Sequence, residues 1–318
     1  MKFVVAATVA ALASATPMGE HDMEFIRFVS EYGKSYGTQE EFQFRAATFA
    51  ENLTKIKAIR SETSTHGINK FTDRTPAEMK KLLGYRAQDK SPFRNVTAFP
   101  EAKVDTVNWF TKGAITPVKD QGACGSCWSF STTGAMEGAH WIATGELVSL
   151  SEQQLMDCSW KYGNLSCGGG LMDNAFKYAE GTPLTTEANY PYTAMFHTTC
   201  SYAGNGVVSV VSYADVAVND SAALKNAIAT GPVSVAIEAD TTVFQSYTGG
   251  IITSAACGTT LDHGVLAVGF GTENGVEYII VKNSWGASWG ENGFVRLGVA
   301  DGAGICGINQ SASIPKTN

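Results

Sequence analysis

The distribution of cysteine constrains this chain of 318 residues more than any other feature. All seven cysteines lie beyond residue 120, and Cys124 and Cys127 are separated by only two residues. Because seven is odd, at least one thiol is left over even if the other six are paired, and six cysteines allow 15 pairings. The fold of this region must therefore accommodate up to three cross-links and a free thiol.

The first residues, MKFVVAATVAALASA, have the layout of a secretory signal: one basic residue, an apolar run, then Ala13 and Ala15. The run is too short to span a bilayer, and no later stretch reaches about 18 apolar residues. We predict a signal peptide over residues 1–15, with a buried helix as the alternative. The rest of the chain should enter the secretory pathway, bound for a lysosome or vacuole or for the exterior, with no membrane anchor. Disulfides are favoured in these compartments.

Charge is unevenly distributed along the chain, whose net charge is -7. Residues 1–101 contain 14 Lys and Arg against 12 Asp and Glu, whereas the remainder contains 9 against 18. The acidic balance argues against a nucleic-acid partner, which would require a basic face. A mildly basic early segment that packs on an acidic later part should be held partly by electrostatic attraction.

The early segment, residues 21–85, is predicted to be helical. Thr38 and Glu41 form the pattern of a capping box. Residues at three- and four-residue spacing then define one side of a helix: Phe42, Arg45, Phe49, Asn52 and Ile56. The stretch from about Gln88 to Thr106 is polar, aperiodic and contains two prolines, so we predict a linker there.

After the linker, helical patterns come first and strand patterns follow. Ser126 is placed to cap a helix that begins at or next to Cys127, Ser151 with Gln154 opens a second helix, and LMDNAFKYAEG suggests a third. Predicted strands lie in GVVSVVSYA, PVSVAIEA, HGVLAVGFG, EYIIVKN and GFVRLG, with one helix in SAALKNAIATG. This order indicates an α+β fold with a groove between a helical half and a β half.

The C-x-x-C spacing of Cys124 and Cys127 fits three chemistries. A redox couple would lie between a strand and a helix of a βαβ unit, but the preceding KGAITPVKD has only a short apolar stretch broken by Pro117. A zinc site needs a second ligand pair, whereas the other cysteines are scattered and the five histidines form no HExxH. The third possibility is a structural cysteine beside a nucleophile.

Residues around the pair favour the third possibility. CGSCW ends at Trp128, His263 lies 136 residues after Cys127 in LDHGVLAVGFG, and Asn283 lies 156 residues after it in VKNSWGASWG. This arrangement resembles the papain-like cysteine proteases. The resemblance implies a cysteine endopeptidase with a two-lobe fold, in which a helical left lobe meets a β-barrel-like right lobe.

The chemistry of these residues is consistent with that resemblance. A thiol with an ordinary pKa of about 8.5 needs a helix N-terminus and a cationic neighbour to become a thiolate. His263 would supply the charge, and Asn283 would orient its imidazole. Gln121, with the backbone N–H of Cys127, would form the oxyanion hole. By resemblance, Trp285 would cover the pair formed by His263 and Asn283.

The resemblance also implies how the cysteines pair and which residues contact substrate. It pairs Cys124 with Cys167, Cys158 with Cys200, and Cys257 with Cys306, leaving Cys127 free. Besides Trp285, the implied substrate-binding residues are Gly169, Gly170, Leu171, Met172, Ala236, Leu261, Gly264 and Ser311. The implied S2 pocket contains no charged group, so we predict a hydrophobic residue (Leu, Phe or Val) at P2 and a penalty for Arg.

The early segment resembles the inhibitory propeptide of the same family. Glu41 begins the pattern E-x3-R-x3-F-x2-N-x3-I, and the residues from Gly67 to Asp73 follow G-x-N-x-F-x-D. These motifs are similar to those of the cathepsin L-like subgroup. They imply a zymogen with a propeptide over residues 16–102 and a peptidase domain over residues 103–318, the mature chain starting within about Ala98 to Asp105. Acid should loosen the propeptide by protonating interface carboxylates.

The predicted function also implies which molecules bind this protein. We expect protein and peptide substrates, the chain's own propeptide as inhibitor, cystatin-type inhibitors, a monomer, and neither metal nor cofactor. A competing hypothesis is a catalytically inactive binding protein with the papain fold. The presence of Cys127, His263 and Asn283 argues against it.

Overall fold

The computed structural model describes residues 21–86 and 95–318, so the predicted signal peptide lies outside the described residues. The helices of the described part are α1 (Asp22–Glu31), α2 (Gln39–Ala58), α3 (Pro76–Lys80), α4 (Cys127–Thr144), α5 (Glu152–Cys158), α6 (Met172–Gly181), α7 (Ser221–Thr230) and α8 (Thr242–Gln245). Its strands are β1 (Ser64–His66), β2 (Val107–Asn108), β3 (Val210–Asp215), β4 (Val233–Ile237), β5 (Tyr247–Ile252), β6 (His263–Glu273), β7 (Val276–Lys282), β8 (Phe294–Gly298) and β9 (Ala312–Thr317).

Helices α1 and α2 form a small core of their own in the N-terminal region. Phe25 and Phe28 of α1 pack against Phe49 and Leu53 of α2, and all four side chains are buried. At the start of α2 the Thr38 side chain accepts a hydrogen bond from the Glu41 N–H at 3.1 Å. This is half of the predicted capping box, because the Glu41 carboxylate accepts from the Gly37 N–H instead.

The two sequence motifs of the N-terminal region lie together in the structure. Arg45 of α2 binds the carboxylate of Glu78 through two hydrogen bonds of 2.7 Å each. Asn52 donates to the backbone carbonyls of Thr72 and Arg74 at 2.9 and 2.8 Å. Arg45 and Asn52, the polar residues on the predicted side of this helix, therefore bind the chain that follows α2. Between α2 and α3 the chain forms strand β1 and turns, so the prediction of helix throughout residues 21–85 is wrong for this part.

Helix α4 is the central helix of the larger region and packs against β4, β6 and β9. Its residues from Cys127 to Gly138 are nearly all buried, because small and hydroxylic side chains allow close packing on several sides. A Cβ atom on Gly134 would lie 2.8 Å from the Leu266 side chain of β6, so the helix and the sheet are in close contact here and a larger residue would require Leu266 to move. The approach holds the N-terminus of α4 against the start of β6.

The strands form one sheet in the order β1, β5, β8, β7, β6, β4, β9, β3, with β2 paired to β6. Strands β4 and β6 are antiparallel, with Ala236 opposite Gly264 and Ile237 opposite His263. The helices from α4 to α6 precede the strands from β3 onward, which confirms the predicted α+β class and the order of its two halves. No helix of the described part is long and apolar enough to cross a membrane.

A buried cluster of charges connects the helices to the sheet. Lys119 lies 2.7 Å from Glu152 of α5 and 3.3 Å from Glu137 of α4, and Thr116 donates to Glu137 at 2.6 Å. Lys282 of β7 donates to Thr116 at 3.0 Å. Burial raises the pKa of Glu152 to about 7 and lowers that of Lys282 to about 8. Removing one member would leave a buried charge without its partner.

One local prediction, the Ser126 cap, is wrong, and the predicted linker has an unexpected contact with the sheet. The Ser126 side chain does not cap α4, although Ser126 occupies the N-cap position, because its hydroxyl is hydrogen-bonded to the Tyr192 hydroxyl at 2.6 Å. Part of the predicted linker is attached to the sheet, since the N–H groups of Asn95 and Thr97 donate to Asp215 at the end of β3. The residues from 87 to 94 lie outside the described part.

Candidate active site

Cys127 is the first residue of α4, is fully buried, and is the free cysteine of the described chain. The structure contains the disulfides Cys124–Cys167, Cys158–Cys200 and Cys257–Cys306, the pairing implied by the resemblance. The first of these links the loop before α4 to the glycine run at residues 168–170. The two cysteines of the C-x-x-C pair therefore have different roles, one as a cross-link and one as a thiol.

Two backbone N–H groups point at the sulfur of Cys127. Gly264 of β6 and Gly84 of the N-terminal region each donate to Sγ at 3.3 Å. A Cβ atom on Gly84 would lie 1.8 Å from the carbonyl oxygen of Gly125, so only glycine allows this close approach. The N-terminal region thus covers the thiol directly.

His263 is the first residue of β6, and its neighbour Gly264 contacts the sulfur. The imidazole Nε2 is 2.8 Å from Oδ1 of Asn283, and both side chains are buried. The indole of Trp285 lies 4.9 Å from the imidazole, between ring centroids. The other ring nitrogen, Nδ1, has no hydrogen-bond partner among the described residues. A ring held by Asn283 on one side and unpaired on the other is suited to proton transfer.

The side chain of Gln121 is held by three hydrogen bonds. Its amide Nε2 donates to the carbonyl of Leu82 at 2.8 Å and to that of Cys124 at 2.7 Å, while Oε1 accepts from the Ser284 hydroxyl at 2.6 Å. The amide thus already binds a peptide carbonyl from the N-terminal region. Sequence reasoning missed Ser284, whose only signal was its position after Asn283.

The segment Leu82–Arg86, here called the blocking segment, lies along the cleft. Gly170 donates to the carbonyl of Gly84 at 2.8 Å and accepts from the N–H of Arg86 at 3.1 Å. Tyr85 is bridged to Gly170 in the parallel sense. At Gly169, whose φ is +103°, a Cβ atom would lie 2.7 Å from the carbonyl oxygen of Gly84. Gly169 therefore allows close approach of the peptide backbone by lacking a side chain, and Gly170 binds that backbone through its own N–H and carbonyl groups.

One of the predicted S2 residues, Ser311, contacts the side chain of Tyr85. The Tyr85 hydroxyl donates to Oγ of Ser311 at 2.9 Å, and both side chains are buried. The backbone carbonyl of Ser311 accepts from Ala236, which is opposite Gly264 in the sheet. A Cβ on Gly264 would be 3.2 Å from the sulfur of Met172. Of the remaining two predicted residues, Leu171 is fully buried and Leu261 is partly buried against the core. Sequence reasoning missed Tyr85.

Burial shifts the pKa values of both Cys127 and His263. Burial raises the pKa of the Cys127 thiol to about 11, although the N–H groups of Gly264 and Gly84 counteract it. Burial also lowers the pKa of His263 to about 4, opposed by the hydrogen bond to Asn283. Both shifts favour a neutral thiol and a neutral imidazole. The covered site is therefore held in its unreactive protonation state.

Comparison with known families accounts for both regions of the chain. Residues 103–316 match the papain family cysteine protease model, and residues 25–79 match the cathepsin propeptide inhibitor domain (I29). Together with the covered thiol, these matches define a cysteine protease precursor that carries its own inhibitor domain. The chain belongs to the papain family of cysteine proteases. The blocking segment begins just beyond the end of the inhibitor-domain match.

Individual relatives agree with this assignment. Cathepsin L1 of Drosophila melanogaster is 42% identical over 96% of this chain and 88% of its own. Germination-specific cysteine protease 1 of Arabidopsis thaliana is 45% identical over 92% of this chain and 83% of its own. Among solved structures, digestive procathepsin L 3 of the Tenebrio molitor larval midgut superposes with a TM-score of 0.83 and 37% identity, covering 94% of this chain and 99% of that one. The papain-like fold and the resemblance to the cathepsin L-like subgroup are thereby confirmed.

Proposed function

We propose that Cys127, His263, Asn283 and Gln121 form the catalytic site of a cysteine endopeptidase. The thiolate of Cys127 attacks the scissile carbonyl carbon and forms a thioester as the peptide C–N bond breaks, while His263 gives its proton to the leaving amine. Water then hydrolyses the thioester with His263 as base. Asn283 orients the imidazole, and the Gln121 amide with the N–H of Cys127 stabilises the tetrahedral oxyanion.

The blocking segment is the observation that carries this proposal. A peptide of the chain itself lies in the cleft, with the carbonyl of Leu82 on Gln121 and the backbone of Gly84 on Cys127. The group that faces the sulfur is the Gly84 N–H and not a carbonyl carbon, so the thiol has no electrophile to attack. A cleft that binds its own peptide in an unreactive arrangement is suited to bind substrate peptides once that segment leaves.

Removal of the propeptide should change the protonation of the site. The raised pKa of Cys127 and the lowered pKa of His263 both have burial as their first cause. Uncovering the cleft admits water, so it reduces this cost and favours a thiolate–imidazolium pair. Activation of the zymogen would therefore both open the cleft and charge the nucleophile. We place the cleavage that yields the mature chain before residue 103.

The S2 pocket is proposed to favour hydrophobic P2 residues. Its walls consist of Leu171, Met172, Ala236, Leu261 and Gly264, and its polar atom is the hydroxyl of Ser311. An arginine placed there would lose hydration without gaining a carboxylate. The position of the Tyr85 ring supports a pocket that accepts an aromatic side chain, including tyrosine.

We further propose that the protein acts in an acidic compartment of the secretory pathway or outside the cell, after removal of a signal peptide over residues 1–15. Its partners would be protein and peptide substrates, its own propeptide and cystatin-type inhibitors. We expect the mature enzyme to be a monomer without metal or cofactor.

The test is an activation assay on the full-length precursor. The protein is incubated at about pH 5, below the ordinary pKa of histidine, and assayed with Leu-Arg and Phe-Arg amide substrates. We expect propeptide loss followed by cleavage that an epoxide thiol reagent abolishes. Cleavage that persists after full alkylation of Cys127, or no cleavage after complete propeptide loss, would refute the proposal.

The Cys127→Ala precursor is the matched control. It should fold, remain unprocessed and have no activity, because its disulfides are intact and only the thiol is missing. A Cys127→Ala protein that still processes itself would contradict the assignment of the nucleophile.

A further inference from the structure

The ionic contacts between propeptide and peptidase domain are few in the described residues. Lys70 and Asp120 form an ion pair of 2.6 Å across the interface. The carboxylate of Asp73 instead binds Lys34 and Tyr36, and that of Glu78 binds Arg45, all within the propeptide. The hydrogen bond to Arg45 lowers the pKa of Glu78 to about 2, so this carboxylate stays ionised in mild acid. The Glu78 carboxylate therefore does not titrate in the range in which a histidine changes its charge.

His66 is a titratable side chain at this interface. It lies on β1, which adds to the edge of the peptidase sheet by antiparallel pairing with β5, opposite Tyr247. Its Nε2 is 3.0 Å from Oγ of Ser64 on its own strand, and its Nδ1 is 3.3 Å from Oγ of Ser246 in the peptidase domain. The Tyr247 ring meets the imidazole edge-on, with 6.5 Å between ring centroids. The half-buried ring is therefore covered by residues that it loses when the propeptide leaves.

The surroundings of His66 offer hydroxyl and carbonyl groups but no carboxylate at hydrogen-bonding distance in the described part. Burial lowers the pKa of His66, and a hydrogen bond to the backbone of Val243 opposes this shift. The residues of α8, from Thr242 to Gln245, carry no charge. A proton placed on the ring would thus be partly desolvated without an anionic partner.

The charged groups near β5 form ion pairs and hydrogen bonds with neighbouring residues. Glu291 accepts two hydrogen bonds from Arg296, at 2.9 and 2.8 Å, and one from the N–H of Gly250 in β5. Tyr247 donates its hydroxyl proton to the carbonyl of Gly250 at 2.6 Å. Burial raises the pKa of Tyr247, so it stays neutral over the whole range in question.

We propose that His66 is a proton sensor of the zymogen: protonation of its imidazole weakens the attachment of β1 to the peptidase domain and so promotes release of the blocking segment. The proposal rests on the zymogen function proposed above. It differs from release through interface carboxylates because it assigns the response to one histidine of the propeptide.

The direction of the pH dependence follows from the linkage between proton binding by His66 and release of the propeptide. The pKa of His66 is lower in the bound propeptide than the 6.5 of a free histidine, so the released form binds the proton more tightly. The contribution of His66 to propeptide binding is therefore fully present above about pH 6.5 and is lost as the pH falls below that value. For a free pKa of 6.5 the loss can reach roughly tenfold in the dissociation equilibrium at pH 5.5.

The experiment compares full-length precursors that differ at one propeptide residue. His66→Gln keeps a polar side chain of similar size and removes the titration, and His66→Leu removes it with an apolar side chain. His21→Gln is the matched control, because His21 is also in the propeptide but its imidazole pairs with Glu24 at 2.7 Å at the start of α1. All of these precursors yield the same mature polypeptide, so differences in processing cannot come from the mature enzyme.

Two rates are measured from pH 7.5 to 5: self-processing in dilute solution and alkylation of Cys127 by an epoxide thiol reagent. We expect the ratio of the rate at pH 5.5 to that at pH 7.5 to fall, by at most about tenfold, in both His66 variants, and to be unchanged in His21→Gln. Superimposable pH profiles for the wild type and a folded His66 variant would overturn the proposal. Mature peptidase activity separates the two failures: its absence from every precursor refutes the proposed function, whereas normal activity with unchanged pH profiles refutes only the role of His66.

Discussion

Replacing Gly84 with alanine should release the inhibition of the precursor without altering the mature enzyme. The added Cβ would lie 1.8 Å from the carbonyl oxygen and 2.4 Å from the carbonyl carbon of Gly125, whereas ordinary contact begins at 3.4 Å. These are backbone atoms in the loop that positions Cys127, so the blocking segment must move by more than 1 Å. The movement would lengthen the 3.3 Å hydrogen bond to Sγ and the 2.8 Å bond from Gly170.

The size of the effect follows from these contacts. Overpacking costs about 1–3 kcal/mol, and a weakened hydrogen bond costs about 1 kcal/mol more. The total of about 2–4 kcal/mol corresponds to binding of the blocking segment in the cleft that is weaker by roughly 30- to 700-fold. The assay is alkylation of Cys127 by an epoxide thiol reagent in the full-length precursor at neutral pH, where the wild-type thiol is covered.

Gly37→Ala provides the matched control for this substitution. Gly37 is also in the propeptide, and a Cβ there would meet nothing closer than a Glu41 carboxylate oxygen at 3.8 Å. We expect the control precursor to be alkylated as slowly as the wild type. If Cys127 is alkylated equally slowly in a folded Gly84→Ala precursor, the blocking segment does not restrict access to the thiol, which would refute this prediction.

Three further substitutions test the mature site. Gln121→Ala should lower kcat by about 10² to 10³-fold because it removes one oxyanion donor; an unchanged kcat would exclude that role. Asn283→Ala should lower kcat by about 10²-fold because the imidazole loses its orienting hydrogen bond, and an unaltered pH–rate profile would argue against this. Ser311→Ala should reduce kcat/KM for P2 Tyr relative to P2 Phe by about fivefold, the value of a hydrogen bond of about 1 kcal/mol, and leave P2 Leu unchanged. Equal losses for Tyr and Phe would contradict a specific contact with the hydroxyl.

Local signals in the sequence predicted much of the architecture because they act over a few residues. Thr38 and Ser151 each accept a hydrogen bond from the N–H three residues later, as their spacing indicates. The β6 segment has a continuous apolar run and is buried over most of its length. Strands β1 and β2 have three and two residues, too short for a periodic pattern to develop. They depend on the neighbouring strand and could not be predicted alone.

The contacts that decide regulation could not be predicted because they join distant parts of the chain. Ser126 has the chemistry of a helix cap, but Tyr192, 66 residues later, takes its hydroxyl. Tyr85 and Ser311 are 226 residues apart, and nothing in either segment indicates that a propeptide side chain enters the predicted pocket. The resemblance identified which residues belong to the site, whereas the structure was needed to describe what occupies it.

The central claim is that Cys127 is the nucleophile and that the propeptide keeps it inaccessible. The most direct measurement is peptide mapping after treatment with an epoxide thiol reagent, before and after acid activation of the same precursor. We predict no labelling before activation, and afterwards labelling at Cys127 alone in proportion to the loss of peptidase activity. Loss of activity with Cys127 unlabelled, or equal labelling of the precursor, would contradict the account.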